Sequence, residues 1–199
     1  MILRKSILIF GLLLFSMGFP SLAYADFDRG LRAYNAGDYQ TALREWLVDA
    51  NQGDSAAQNN VGTMYAYGFG VPINYAEAAY WYRLAANQGN AGAQQALGEH
   101  YLNGEGVPQD YAEAMRWLRR AADQGDGAAQ YDLGVMYANG EGVPENDVLG
   151  YMWFNLAAAR GGKGASEAKE AKEDLSQKMT AAQISEAQRL STEWLKEHQ

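Results

Sequence analysis

The chain has 199 residues, with 16 Lys and Arg against 24 Asp and Glu, two His and no Cys, for a formal net charge of −8. This balance argues against nucleic acid or an anionic membrane surface as partner, since phosphate binding needs a basic footprint. With no Cys and only His100 and His198, it also argues against a zinc site of ordinary ligand spacing, and no disulfide can staple the fold.

Residues 1–25 carry the three parts of a secretory signal peptide. Arg4 and Lys5 precede an apolar run from Ile7 to Phe15, and Ala23-Tyr24-Ala25 forms a small-residue cleavage site. The run is shorter than the roughly 20 residues of a membrane span, and Pro20 interrupts it. Cleavage is expected after Ala25, giving an exported chain, periplasmic or secreted. No Cys follows to take a lipid, so no membrane anchor is expected. The remainder keeps 14 basic and 24 acidic residues, a net charge of −10.

The stretch GEGVPQDYAEAMRWLRRAADQGD, residues 104–126, raises the question of a phosphate-cradling loop. Shifted back by 36 residues it reads GFGVPINYAEAAYWYRLAANQGN, and shifted forward GEGVPENDVLGYMWFNLAAARGG. Three units therefore share one period: residues 53–88, 89–124 and 125–161. Gly53, Gly89 and Gly125 align, as do Gln58, Gln94 and Gln130. So do Gly62, Gly98 and Gly134; Tyr65, Tyr101 and Tyr137; and Trp81, Trp117 and Trp153. A phosphate loop follows a strand and occurs once; this G-x-G recurs without strand context, so it is architecture.

Each unit reads as two helices. The first spans roughly 55–67 in the first unit, capped by Asp54 and ended by Gly68, with Ala57, Val61 and Tyr65 as its apolar stripe. The second begins after Pro72, where Asn74 with Glu77 makes a capping-box pattern that Asp110 and Glu113 repeat. Ala78, Trp81, Tyr82 and Ala85 form its buried stripe. Gly62, Gly98 and Gly134 sit inside first helices, where Gly costs about 1 kcal/mol against Ala. Their repetition points to close approach of the neighbouring helix, with each Trp filling the space between units.

Upstream, residues 26–52 read as a further helix pair with the short loop Ala36-Gly37-Asp38. Tyr39, Ala42 and Gln52 keep the 36-residue register, but Trp46 stands where Tyr82 does, not Trp81. Downstream, residues 162–199 read as two capping helices. One is polar, with Ala168, Ala171 and Leu175 inward. The other carries a Thr180/Gln183 capping box and an apolar face of Ile184, Ala187 and Trp194.

The pattern G-D-x-x-A-Q-x-x-L-G-x-x-Y-x-x-G-E-G-V-P-x-D-Y-x-x-A-x-x-W-x-x-x-A-A-x-Q-G resembles the Sel1-like repeat, a relative of the tetratricopeptide repeat. The resemblance covers Gly53 to Gly161. It departs at Phe69, where the loop Glu is usual, and at Asn146 to Gly150, which weakens the capping box of the third unit. It implies an all-α, right-handed superhelix of helix pairs whose first helices line a concave face. The candidate partner-binding positions there are Asn59, Asn60, Thr63 and Tyr67; Gln95, Glu99, His100 and Asn103; and Tyr131, Asp132, Met136 and Asn139. Amides, aromatics and Met on a groove suit a peptide or protein segment.

Catalytic signals are thin. Ser166 and Lys169 match S-x-x-K, but the companion S-D-N and K-T-G elements are missing. Gly161-Gly162-Lys163-Gly164 lacks the Ser/Thr of a phosphate loop. Arg116, Arg119 and Arg120 lie among acids, as a charge-paired helix face does. His100 has no spacing to a catalytic partner and reads as a surface residue. The expected function is a non-catalytic interaction scaffold without cofactor or metal. The alternative is an envelope hydrolase acting on cell-wall peptides or β-lactams.

Overall fold

The computed structural model describes residues 27–162 and 164–198; the expected signal peptide and cleavage site lie outside them. Among the described residues there are ten α-helices and no strand. They are α1 (Phe27–Asn35), α2 (Tyr39–Asn51), α3 (Ser55–Tyr67), α4 (Tyr75–Asn87), α5 (Ala91–Asn103), α6 (Tyr111–Asp123), α7 (Gly127–Asn139), α8 (Asp147–Arg160), α9 (Ala165–Ser176) and α10 (Ala181–Glu197). Each helix packs on the next from α1 to α9, and α10 turns back onto α8. The result is an all-α solenoid.

Local chemistry sets the helix ends. The side chains of Asp54, Asn90 and Asp126 accept from the N–H groups of Ala57, Ala93 and Ala129. Gly68, Gly104 and Gly140 then stop the first helices at φ 72°, 70° and 70°. At the second helices the expected capping boxes form by half. Asn74 and Asp110 accept from Glu77 N and Glu113 N, but Glu113 turns its carboxylate to Arg116 instead of back to the cap. A full capping box exists at Thr180 and Gln183. The third unit keeps its cap after all, because Asn146 accepts from Leu149 N in the same register.

The mid-helix glycines are explained by the residue after each Trp. A Cβ at Gly62 would fall 2.7 Å from the Tyr82 ring, one at Gly98 2.6 Å from Leu118 Cγ, and one at Gly134 2.4 Å from the Phe154 ring. Helix pairs therefore close on glycine within a unit. The Trp residues serve the contact between units: Trp81 shares a buried cluster with Trp46 and Ala50 of the preceding pair, and Trp117 one with Tyr82 and Ala86. Tyr65 and Tyr101 are half-buried and bridge neighbouring core clusters, while Tyr137 flanks the last one. The displaced Trp46 now has its reason. It stands in the Tyr82 register because it covers Gly30, where a Cβ would fall 2.4 Å from its Nε1.

The departures from the pattern fit their neighbours. Phe69 stacks on Tyr39 at 5.0 Å between ring centroids and meets Tyr34 edge-on at 5.8 Å, joining the first unit to the N-terminal pair. Gly150 replaces the Ala of the other units and leaves room for Leu175 of α9.

A ladder of glutamines runs through the array. Gln58, Gln94 and Gln130 each donate to a carbonyl of the preceding helix, at Ala50, Ala86 and Ala122. Gln88 and Gln124 in turn donate to Gln58 and Gln94, both at 2.7 Å. At the third rung the corresponding residue is Arg160, and Gln130 Oε1 is buried without a partner.

Candidate partner-binding groove

The first helices α3 and α5, the start of α7 and the loops after α3 and α5 enclose a groove of about 760 Å³. α3 contributes Asn59, Thr63 and Tyr67, and α5 contributes Gln95, Glu99, His100 and Asn103. Tyr82 reaches its floor from α4 and donates to Thr63 Oγ at 3.2 Å. Burial pushes the Tyr82 hydroxyl to about 12, so it stays a neutral donor.

The structure places the remaining candidates elsewhere. Asn60 is half-buried beside the groove and does not line it. Met136 is fully buried, which corrects its placement on the concave face. The inward stripe of a first helix runs i, i+4, i+7: Ala57, Val61, Met64 and Ala129, Leu133, Met136. Tyr131 is half-buried, with Gly164 at the start of the C-terminal cap against its Cβ and the Phe154 ring of α8 5.6 Å away. Burial raises its hydroxyl pKa above the ordinary value. Asp132 accepts from Gln95 at 3.0 Å, tying α7 to α5. Asn139 donates to Glu141 at its own helix end.

His100 also needs correction. It is 5% exposed, in the column of Met64 and Met136, and not a surface residue. Its Nδ1 lies 2.7 Å from the Glu105 carbonyl oxygen, and the ring meets Tyr75 and Tyr82 edge-on. A carbonyl only accepts, so Nδ1 carries a proton, and in that tautomer of an uncharged ring Nε2 is the acceptor.

Sequence reasoning missed the loop contribution. Ile73 and Tyr75 are 57% and 39% exposed, and with Tyr67 at 61% they put three large apolar side chains on the groove. The signal was available: Ile73 stands where the later units carry Gln109 and Glu145.

Ser166 and Lys169 are exposed at the start of α9, and the Ser166 hydroxyl donates to Glu167. Arg116 and Arg119 pair with Glu113 and Asp123, as a solvated face does, and Arg120 lies over the Trp117 ring. Among the described residues no group of three or more His, Cys, Asp or Glu is placed to hold a metal, and no helix is long and apolar enough to cross a membrane.

The family model of the Sel1 repeat matches residues 55–90, 91–126 and 127–162, just over half of the chain. The chain belongs to the Sel1 repeat family. Two solved structures carry the same architecture. One is a protective antigen present in uropathogenic Escherichia coli strains, displaying an SLR fold. It matches with a TM-score of 0.77 and 30% identity over 87% of this chain. The other is a Sel1 repeat protein from Oxalobacter formigenes, with a TM-score of 0.66 and 34% identity over 73% of this chain. This Sel1 repeat chain spans 38% of the first protein and 57% of the second. No curated protein matches it. Membership of the family suggests a protein–protein interaction scaffold.

Proposed function

We propose that this Sel1 repeat protein is an exported, non-catalytic scaffold that holds a peptide or protein segment in the groove across α3 and α5. The carrying observation is the convergence of Tyr67, Ile73 and Tyr75, large apolar side chains left out of the core, on one concave surface. Exposed apolar surface gathered in a concave site supplies anchors for a partner, while amides around it satisfy the partner's backbone. Asn59 and Asn103 line the groove for that second role. Export is supported by the sequence of residues 1–25.

The test is panning of a displayed 12-residue peptide library on the full chain and on Tyr67→Ala/Tyr75→Ala. Binders enriched on the parent are expected to lose affinity for the double variant while its melting temperature is kept. Absence of enrichment, or binders indifferent to the two substitutions, would remove the reading. Turnover of a chromogenic β-lactam or a peptidoglycan fragment, lost on Ser166→Ala, would replace it by the hydrolase. Mass spectrometry of the protein from the envelope fraction is expected to find Asp26 at its N-terminus.

A further inference from the structure

We infer that the groove selects a cationic segment: an extended stretch of a partner protein whose Lys or Arg group sits beside Glu99 and Glu105 and donates to His100 Nε2. The inference rests on the groove reading above and adds the chemistry of the occupant.

The first observation is charge. Glu99, Glu105 and Asp126 border the groove, and no Lys or Arg lines it. Neither Glu99 nor Glu105 is in an ion pair with a described residue. Like charges gathered on a concave, partly apolar wall raise the local concentration of the opposite charge.

The second observation is independent and concerns His100. Its column is filled by Met64 and Met136 in the neighbouring units, both wholly buried. Met satisfies the packing there, and burying an imidazole instead carries a desolvation cost that no core role requires. Nδ1 is engaged by the Glu105 carbonyl oxygen, which orients the ring and leaves Nε2 without a hydrogen bond among the described residues. The residue lines the groove. An acceptor opening onto a groove flanked by two unpaired carboxylates suits a donor that is positively charged. Tyr67 and Tyr75 offer ring surface for the aliphatic stem of such a side chain.

The probes are three labelled decapeptides of Ala, Gly and Tyr, bearing Lys, Gln or Glu at alternate positions. Their binding to the full chain is read by fluorescence anisotropy. The Lys peptide is expected to bind about tenfold tighter than the Gln peptide at low salt, the Glu peptide weakest. In Glu99→Gln/Glu105→Gln the Lys preference should fall to about twofold or less. His100→Met, which copies the neighbouring units, should weaken the Lys peptide about fivefold at an unchanged melting temperature. Equal binding of the Lys and Gln peptides, or a preference that survives Glu99→Gln/Glu105→Gln, overturns the inference. If both peptides are then still lost on Tyr67→Ala, the groove reading stands without it. If no peptide binds, or Tyr67→Ala changes nothing, both fall.

Discussion

Leu118 lies across Gly98 so closely that a Cβ on the glycine would fall 2.6 Å from Leu118 Cγ. Leu118 is fully buried and has little room to retreat. In an exposed helix, Gly→Ala is worth about 1 kcal/mol of stabilisation. Here overpacking, typically about 1–3 kcal/mol, opposes that gain. Gly98→Ala is expected to destabilise by up to about 2 kcal/mol in urea unfolding, and to cost less in a Leu118→Ala background than in the parent. A stabilised single variant would show that the helix pair has slack the structure does not display.

The glutamine ladder makes a comparative prediction. Gln94 donates to Ala86 and accepts from Gln124, whereas Gln130 donates to Ala122 and its Oε1 finds no partner. Breaking a buried bond and orphaning its partners costs about 1–3 kcal/mol, and a group already orphaned has less to lose. Gln94→Met should therefore cost more than Gln130→Met, by about 1 kcal/mol in paired denaturant melts. Equal costs would mean that the ladder carries no cooperative contribution.

Trp117 separates packing from hydrogen bonding. Its ring is buried between units, under the guanidinium groups of Arg116 and Arg120 at 4.7 and 4.8 Å, yet its Nε1 is buried without a partner. Trp117→Ala is expected to cost about 3–5 kcal/mol, the range for emptying an aromatic core site. Trp117→Phe keeps the aromatic fill and removes an unsatisfied donor, so it should cost much less. Two similar losses in calorimetry would contradict this account.

Asp38 gives a pH prediction. Hydrogen bonding to Thr41, at its side chain and its backbone N–H, holds the Asp38 carboxyl below its ordinary 3.8. A carboxylate depressed in the folded state adds stability above the ordinary carboxylate range and loses it as the pH falls through the folded value. Asp38→Asn keeps a capping oxygen without a titrating charge. The melting-temperature advantage of the parent over this variant should be present at about pH 6 and shrink towards pH 3. A gap that widens on acidification would reverse the sign.

The helices were legible because their signals are local and recur. Asp54, Asn90 and Asp126 mark starts, Gly68, Gly104 and Gly140 mark ends, and each repeats at one spacing. The groove was only half legible. An apolar stripe drawn at i, i+4, i+8 put Tyr65 inside and left His100 and Met136 facing out; the true i, i+7 partner is their column, which Met64 shares. Tyr131 passed as a groove residue because nothing in α7 itself says that α9 will fold over it. Ile73 was passed over since a loop residue carries no periodicity, and Tyr75 since it is the first residue of α4, ahead of that helix's buried stripe. The role of Gly30 emerged only once Trp46 was seen lying on it.

The loop inside each of the three repeat units leans on chain that precedes it. A Cβ at Gly70 would strike Tyr39, one at Gly106 the carbonyl of Tyr75, and one at Gly142 the Cβ of Tyr111. The seat of every reversal thus lies 31 residues upstream, at the first turn of the previous unit's second helix. The array accordingly has a polarity of construction. Along the chain, the seat of each of these loops comes before the loop itself, so removing an early unit strips the support from the next, whereas removing the last leaves the earlier seats whole.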